Sequence, residues 1–130
     1  MQIRIASLLV DDLDKALGFY TSRLGFRKMA DLPFGATRWL TVVSPDGIEG
    51  VELSLRPAGA FPPAVIYQKA LFDAGIPAIS FITKDVHADA ARLRGLGVRF
   101  RGEPANLGPI IAVLFEDTCG NLVNLVQPLV

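Results

Sequence analysis

The 130-residue chain is poor in the side chains that bind metals or form cross-links: it has one cysteine, Cys119, and one histidine, His87. A single cysteine excludes an internal disulfide and a cysteine-based zinc site. His87 falls near the expected start of a helix, where we interpret it as a solvated side chain. Neither residue by itself therefore predicts a catalytic or metal centre.

The chain also lacks charge of one dominant sign and long apolar runs. Its 13 basic and 13 acidic residues give a formal net charge of +0 and are dispersed along the sequence. Without a basic patch, binding to nucleic acid or to an anionic membrane surface is not expected. Asp11 and Asp12 interrupt the first apolar stretch, and no run approaches the length of a membrane span. We therefore expect a cytoplasmic protein with no membrane partner.

What the chain does have is apolar residues: 51% of it is hydrophobic, and its mean hydropathy is +0.39. These values are high for so short a chain and suggest apolar surface buried against a partner or around a ligand. We predict a homodimer. The length suits one domain, residues 1–130, with a single core.

The first half of the sequence predicts one strand, one helix and three further strands. Apolar alternation marks the strands, and helical spacing with an aspartate cap and a glycine stop marks the helix. The expected elements are strand Ile3–Val10, helix Leu13–Leu24 capped by Asp11 or Asp12 and ended by Gly25, strand Phe26–Ala30, loop Asp31–Ala36, and the hairpin strands Thr37–Val43 and Val51–Leu55.

The second half repeats this order at a nearly constant spacing. Ser80 and Asp85 follow Ser7 and Asp12 by 73 residues, and Asn124 follows Glu52 by 72. We therefore predict an internal duplication of a β-α-β-β-β module. Module one covers 1–56, a Pro- and Gly-rich linker with a short helix around 66–74 covers 57–75, and module two covers 76–130. Phe61, Tyr67 and Gln68 in or beside this linker form either a lid or a plain connection.

Three segments of these modules resemble the vicinal oxygen chelate superfamily, which includes glyoxalase I, extradiol dioxygenases and bleomycin-resistance proteins. The segments are VDDLDKALGFYTSRLGF at 10–26, GLGVRF at 95–100 and FEDTCGNLVNLV at 115–126. The resemblance implies an α+β fold in which tandem β-α-β-β-β modules form a cup-shaped mixed sheet, usually within a homodimer. In catalytic members, four ligands from the first and fourth strands of the modules hold one divalent metal in the cup.

The resemblance places the four ligand positions at Ile5, Glu52, Ala78 and Asn124. Only Glu52 is a good metal ligand, since Ile5 and Ala78 offer no lone pair and Asn124 offers one neutral carbonyl. A divalent ion needs several anionic or imidazole donors to compensate for its dehydration. We therefore expect no metal and no other cofactor, and no glyoxalase or dioxygenase chemistry of the family kind.

The candidate ligand-binding residues are those that the strand pattern and the resemblance direct towards the cup. Glu52 shares a face with Ser54 and is expected to act as a general base or as a ligand anchor, unless it meets solvent or pairs with Arg38. Arg38 and Trp39 are adjacent on a strand, so only one of them lines the cup. The complete set is Ser7, Arg38, Trp39, Glu52, Ser54, Ser80 and Asn124.

Two classes of function fit this set. One is a metal-free protein that binds or sequesters a small, partly aromatic molecule in an apolar cup, as bleomycin-resistance proteins do. The other is an enzyme of the same superfamily, of lyase, isomerase or dioxygenase type, that uses Glu52 as a base or a weakly held divalent metal completed by substrate oxygens. Replacing Glu52 with glutamine separates the two classes, because it removes turnover in an enzyme but only weakens affinity in a binder.

Overall fold

The computed structural model describes all residues, 1–130, and the chain divides into two compact units, Met1–Ile66 and Tyr67–Val130. Eight strands and three helices alternate in the predicted order. In chain order they are β1 (Ile5–Val10), α1 (Leu13–Ser22), β2 (Arg27–Phe34), β3 (Thr37–Val43), β4 (Glu52–Pro57), α2 (Pro62–Asp73), β5 (Ile79–Ile82), α3 (Val86–Gly95), β6 (Phe100–Asn106), β7 (Ile110–Glu116) and β8 (Leu122–Pro128).

The first unit is a four-stranded sheet in the order β1-β4-β3-β2, with β1 parallel to β4 and the other pairs antiparallel. Helix α1 begins at the N-cap Asp12, whose carboxylate accepts a hydrogen bond from the Lys15 backbone N–H at 2.8 Å. It buries Phe19 and Tyr20, and the alternate strand residues Leu40 and Leu55 are buried as well. One face of this sheet is therefore covered by α1, while the other carries no helix of this unit.

Strand β2 continues to Phe34, so the predicted loop Asp31–Ala36 is wrong except for its last two residues. The strand pairs with β3 through Phe34 opposite Thr37, and only Gly35 and Ala36 remain as the turn. Pro33 lies inside this strand because β2 is at the edge of the sheet, where a missing N–H does not interrupt a ladder on its outer side. A proline taken as a loop signal therefore ended the predicted strand too early.

The second unit repeats the architecture, with strand order β5-β8-β7-β6 and helix α3 against one face. Asp85 caps α3 by accepting from the Ala88 backbone N–H at 3.0 Å. The helix ends before Gly97, which has a φ of +87°, and the next N–H, of Val98, donates to the Leu93 carbonyl at 3.0 Å. This is the Schellman arrangement that favours glycine.

The stretch predicted as a linker, 57–75, contains the twelve-residue helix α2, which is longer than the short helix expected near 66–74. The boundary between the two units falls inside this helix. Gln68 of α2 is buried, and its Nε2 donates to the Cys119 carbonyl at 3.1 Å and to Asn121 Oδ1 at 3.2 Å. Gln68 therefore fastens α2 to the turn between β7 and β8 and is not available to form a lid.

The predicted fold class, α+β with two β-α-β-β-β modules, is confirmed by this element order. Among the helices, none has the length and apolar character needed to cross a membrane.

Candidate functional site

The side of the first sheet that faces away from α1, here called the open face, gathers most of the first module's candidate residues. Register and alternation define it, because Leu8, Leu40 and Leu55 point to the helix side and their strand neighbours point the other way. The open face consists of Ile5, Ser7 and Leu9 of β1, Arg27, Ala30, Leu32 and Phe34 of β2, Thr37, Trp39, Thr41 and Val43 of β3, and Glu52, Ser54 and Arg56 of β4.

Glu52 is half-buried on the open face and opposes Ile5 in the strand register. The hydroxyl of Thr41, which is fully buried, donates to Glu52 Oε1 with 2.6 Å between the two oxygens. Glu52 forms no ion pair, and Arg38, the partner considered for it from the sequence, lies elsewhere. One carboxylate oxygen is thus held by the protein, and Oε2 is left for a ligand atom.

Hydroxyl side chains form a row beside Glu52 across three strands. Thr41 opposes Ser54, and Ser54 opposes Ser7. Ser54 is buried and Ser7 is exposed, so the row contains both a shielded and a solvent-accessible hydroxyl. Hydroxyls both donate and accept hydrogen bonds, so this row suits a ligand with polar atoms of either kind.

An aromatic and apolar surface adjoins the hydroxyl row. Trp39 is half-buried, and the ring of Phe34 lies 6.5 Å from it between centroids. Leu32 opposes Trp39 on β2; the exposed fractions of Leu32 and Phe34 are 58% and 66%. Large apolar side chains this exposed, beside a tryptophan, form a surface that a flat apolar ligand can cover.

Arg38 does not belong to this site, which corrects its assignment as a ligand-binding residue. It lies on the α1 side of the sheet, where its Nη1 contacts Asp14 Oδ1 at 2.7 Å and its Nη2 contacts Asp31 Oδ2 at 2.9 Å. The hydrogen bond from Arg38 lowers the pKa of Asp31 below its ordinary 3.8, and the same two carboxylates raise the pKa of Arg38 above its usual range. Of the two neighbours, Trp39 is the one on the open face.

The substitution Arg38→Gln is expected to lower the melting temperature by about 2 °C at pH 7, because surface ion pairs contribute little. Since the pKa of Asp31 is lowered in the folded protein, its pairing stabilises above pH 3.8 and is lost as the pH falls through the folded-state pKa. The difference from wild type should therefore shrink in melts below pH 3.8 and disappear once the pH lies below the lowered pKa of Asp31. Arg56→Gln, which removes an arginine without an ion pair, is the control, and an equal effect of both variants at pH 7 contradicts the prediction.

In the second unit, the structure brings together Ser80 and Asn124, which oppose each other on β5 and β8. The resemblance placed the ligand positions of this module at Ala78 and Asn124. Ala78 precedes β5, and the register is displaced by two residues relative to the Ile5–Glu52 pair of the first unit. A shift of two keeps a residue on the same face, so Ser80 and Asn124 remain neighbours on the side of this sheet away from α3.

The donor set does not fit a divalent metal ion. Ile5 opposes Glu52 and brings no lone pair, and the group bonded to Glu52 is a neutral hydroxyl. Asn124 has Ser80 as its neighbour in place of an imidazole or carboxylate. No three His, Cys, Asp or Glu side chains lie together in an arrangement that suits a metal. Hydroxyl and amide oxygens alone do not offset the dehydration of such an ion.

Thr41 and Arg56 of the open face were missed from the sequence, and so were Leu32 and Phe34, which fell in the predicted loop Asp31–Ala36. The alternation of β3 places Thr41 on the same side as Trp39, but its contact with Glu52 depends on the register between β3 and β4. Arg56 was assigned to the end of the first module because β4 was predicted to stop at Leu55, whereas the strand runs to Pro57. Strand ends are poorly marked when the last residues are exposed and polar.

With this fold and donor set established, comparison with known proteins identifies the family. The profile of the Glyoxalase/Bleomycin resistance protein/Dioxygenase superfamily matches residues 2–125. The chain therefore belongs to this superfamily, as the resemblance of its sequence segments predicted.

Similar proteins extend over nearly the whole chain. The protein YurT of Bacillus subtilis, described as uncharacterized, is 46% identical over 127 residues, covering 98% of this chain and 99% of its own. The crystal structure of UcmS2 superposes with a TM-score of 0.84 at 29% identity, covering 97% of each chain. That of TnmS3, described as an antibiotic binding protein from Streptomyces sp. CB03234, has a TM-score of 0.75 at 29% identity and covers 98% of this chain and 96% of its own.

Proposed function

We propose that this protein binds a small, partly aromatic molecule without a metal ion, and that the open face of the first sheet provides the contacts. The observation that carries the proposal is the carboxylate of Glu52, held by Thr41 at 2.6 Å on the same face as the exposed aromatic surface of Phe34 and Trp39. An apolar surface with a few placed polar groups is the usual composition of a small-molecule site.

The similarity to TnmS3 supports a binding function, since that protein is described as antibiotic binding. The absence of a fitting donor set supports a mechanism in which affinity comes from stacking and hydrogen bonds. Ser7 and Ser54 would contact polar atoms of the ligand, and Ser80 with Asn124 would form a separate polar pair in the second unit.

The expected homodimer and cytoplasmic location stay predictions. Native mass spectrometry of protein purified from its source tests the dimer, a retained ligand and metal content together.

The alternative is an enzyme in which Glu52 acts as a metal-independent base. The observation that favours it is the second carboxylate oxygen, Oε2, which no side chain of the protein holds and which can accept a proton from an activated carbon acid. Binding and catalysis share this geometry, and they differ in what happens when the carboxylate becomes an amide. An amide still forms hydrogen bonds but does not take up the proton.

Trp39 is the only tryptophan, so its fluorescence reports occupancy of the open face directly. In a screen of small aromatic compounds, we expect hits that quench Trp39 and that lose about tenfold in affinity in Glu52→Gln, the cost of one charge-assisted hydrogen bond. Arg38→Gln is the matched control, because Arg38 is next to Trp39 on β3 but faces the α1 side of the sheet. This variant should bind as wild type does.

Two results decide against the proposal. A tight site for zinc, nickel, manganese or iron, one per chain in calorimetric titration, contradicts the metal-free mechanism. A compound that wild type converts to product and that Glu52→Gln binds without converting establishes the enzyme instead.

A further inference from the structure

Arg56 is an exposed cation on the open face without an ion-pair partner. It shares this face with Glu52 because both alternate with Leu53 and Leu55 on β4. Of the other arginines of this unit, Arg38 is held by two aspartates on the other face and Arg4 donates to Gln2 at 2.6 Å, while Arg27 lies on the edge strand β2. Arg56 therefore has donors available for an external acceptor.

Glu52 and Arg56 are four residues apart on one strand, which places their Cα atoms roughly 13 Å from each other along β4. Ser54 lies between them, and Thr41 opposes Ser54. Because Leu40 opposes Leu55, the preceding residue of β3, Trp39, lies beside Arg56 in the antiparallel register. The open face thus has an anion at one end, hydroxyls in the middle, and a cation next to the aromatic surface at the other end.

The hydrogen bond from Thr41 determines which kind of ligand group suits the Glu52 end of the open face. A threonine hydroxyl has one proton, and in this structure the proton goes to Glu52 Oε1. The bond holds the carboxylate in place, so Oε2 is presented to a ligand group that donates. At this end the site selects against acids.

From this geometry we propose that the ligand is an amphoteric aromatic molecule, with an ammonium or other hydrogen-bond donor at Glu52 and an acidic group at Arg56, and that Thr41 is a positioning residue for Glu52. The proposal rests on the proposed binding function and names the ligand class for it. Glu52 and Arg56 are too far apart along the strand to pair with each other, so both charges remain for the two ends of one ligand.

Four biphenyl probes of equal ring size test the proposal by calorimetric titration: biphenyl-4-methanol, 4-biphenylmethylamine, biphenyl-4-sulfonate and 4′-(aminomethyl)biphenyl-4-sulfonate. The amphoteric probe is expected to bind about tenfold or more tightly than the neutral one. Glu52→Gln should remove the gain from the amine only, and Arg56→Gln the gain from the sulfonate only. Arg27→Gln is the matched control, because Arg27 is on the open face but on the edge strand, and it should change neither.

Thr41 is tested by rescue. Thr41→Val should lower the preference for the amine over the alcohol about threefold and leave the sulfonate preference unchanged, while Thr41→Ser should restore it. A purely structural role would weaken all four probes together and would overturn the positioning role. Equal affinity of the protein for all four probes overturns the proposed ligand class but leaves aromatic binding intact. A loss of the preference for sulfonate in Arg27→Gln overturns the proposed ligand class as well. No binding by any probe also overturns it, and the compound screen on Trp39 then still decides the proposed function.

Discussion

Asp117→Ala is expected to lower the free energy of unfolding by about 3 to 4 kcal/mol, because it removes the acceptor of three buried hydrogen bonds. The Asp117 side chain is fully buried in the turn between β7 and β8. Its Oδ1 accepts from the backbone N–H groups of Cys119 at 2.7 Å and Asn121 at 3.0 Å, and its Oδ2 accepts from Asn121 Nδ2 at 2.8 Å. Each donor loses a charge-assisted bond and does not regain water, which makes the loss larger than that of an exposed bond.

Urea denaturation at pH 7 measures this loss, and the first unit offers a matched control. Asp46 lies in the corresponding turn between β3 and β4, but it is exposed. Asp46→Ala should change the unfolding free energy by less than about 0.5 kcal/mol, as surface substitutions do. If the two variants differ by less than about 1 kcal/mol, the Asp117 bonds do not hold the turn in the way described.

Gly120→Ala is expected to cost about 2 to 4 kcal/mol, because two separate costs add at this position. Gly120 has a φ of +97°, in the left-handed region that side chains rarely adopt. A Cβ built there would also lie 2.9 Å from the Gln68 side-chain amide, which is itself bonded to this turn. The amide cannot move away without losing its bonds to Cys119 and Asn121.

A second glycine and a double variant separate the two costs. Gly97 has a φ of +87° but open space where its Cβ would be, so Gly97→Ala should cost only the backbone strain, about 1 kcal/mol. In a Gln68→Ala background the added cost of Gly120→Ala should fall to about the same value, since the obstructing amide is gone. An undiminished cost in that background would mean that backbone strain accounts for the whole effect, and the close contact for none of it.

The elements that local chemistry specifies could be predicted closely from the sequence. Asp12 and Asp85 cap their helices as expected, since a carboxylate before an apolar helical pattern satisfies N–H groups only two or three positions ahead. Gly97 ends α3 for an equally local reason. The errors arose where a residue's role depends on its neighbours across the sheet, as in β2, where an edge position accommodates Pro33.

The candidate site shows the same division. Alternation on β4 placed Glu52 and Ser54 on one face, and alternation on β3 separated Arg38 from Trp39, but it did not say which of the two shares the open face. That depended on packing, because Leu40 and Val42 are buried on the α1 side and Arg38 alternates in step with them. The bond from Thr41 to Glu52 likewise follows from strand register, which a single sequence does not reveal.

The sequence by itself determined the superfamily and the duplicated β-α-β-β-β order, because these follow from residue identity and from periods of a few residues. Only the tertiary structure decided which side chains meet: Trp39 and not Arg38 on the open face, Thr41 on Glu52, Arg56 left unpaired, and Gln68 fastened to the turn at Asp117. Contacts of this kind join residues far apart in the chain, and the free energy that selects them comes from packing and register, which no local pattern specifies.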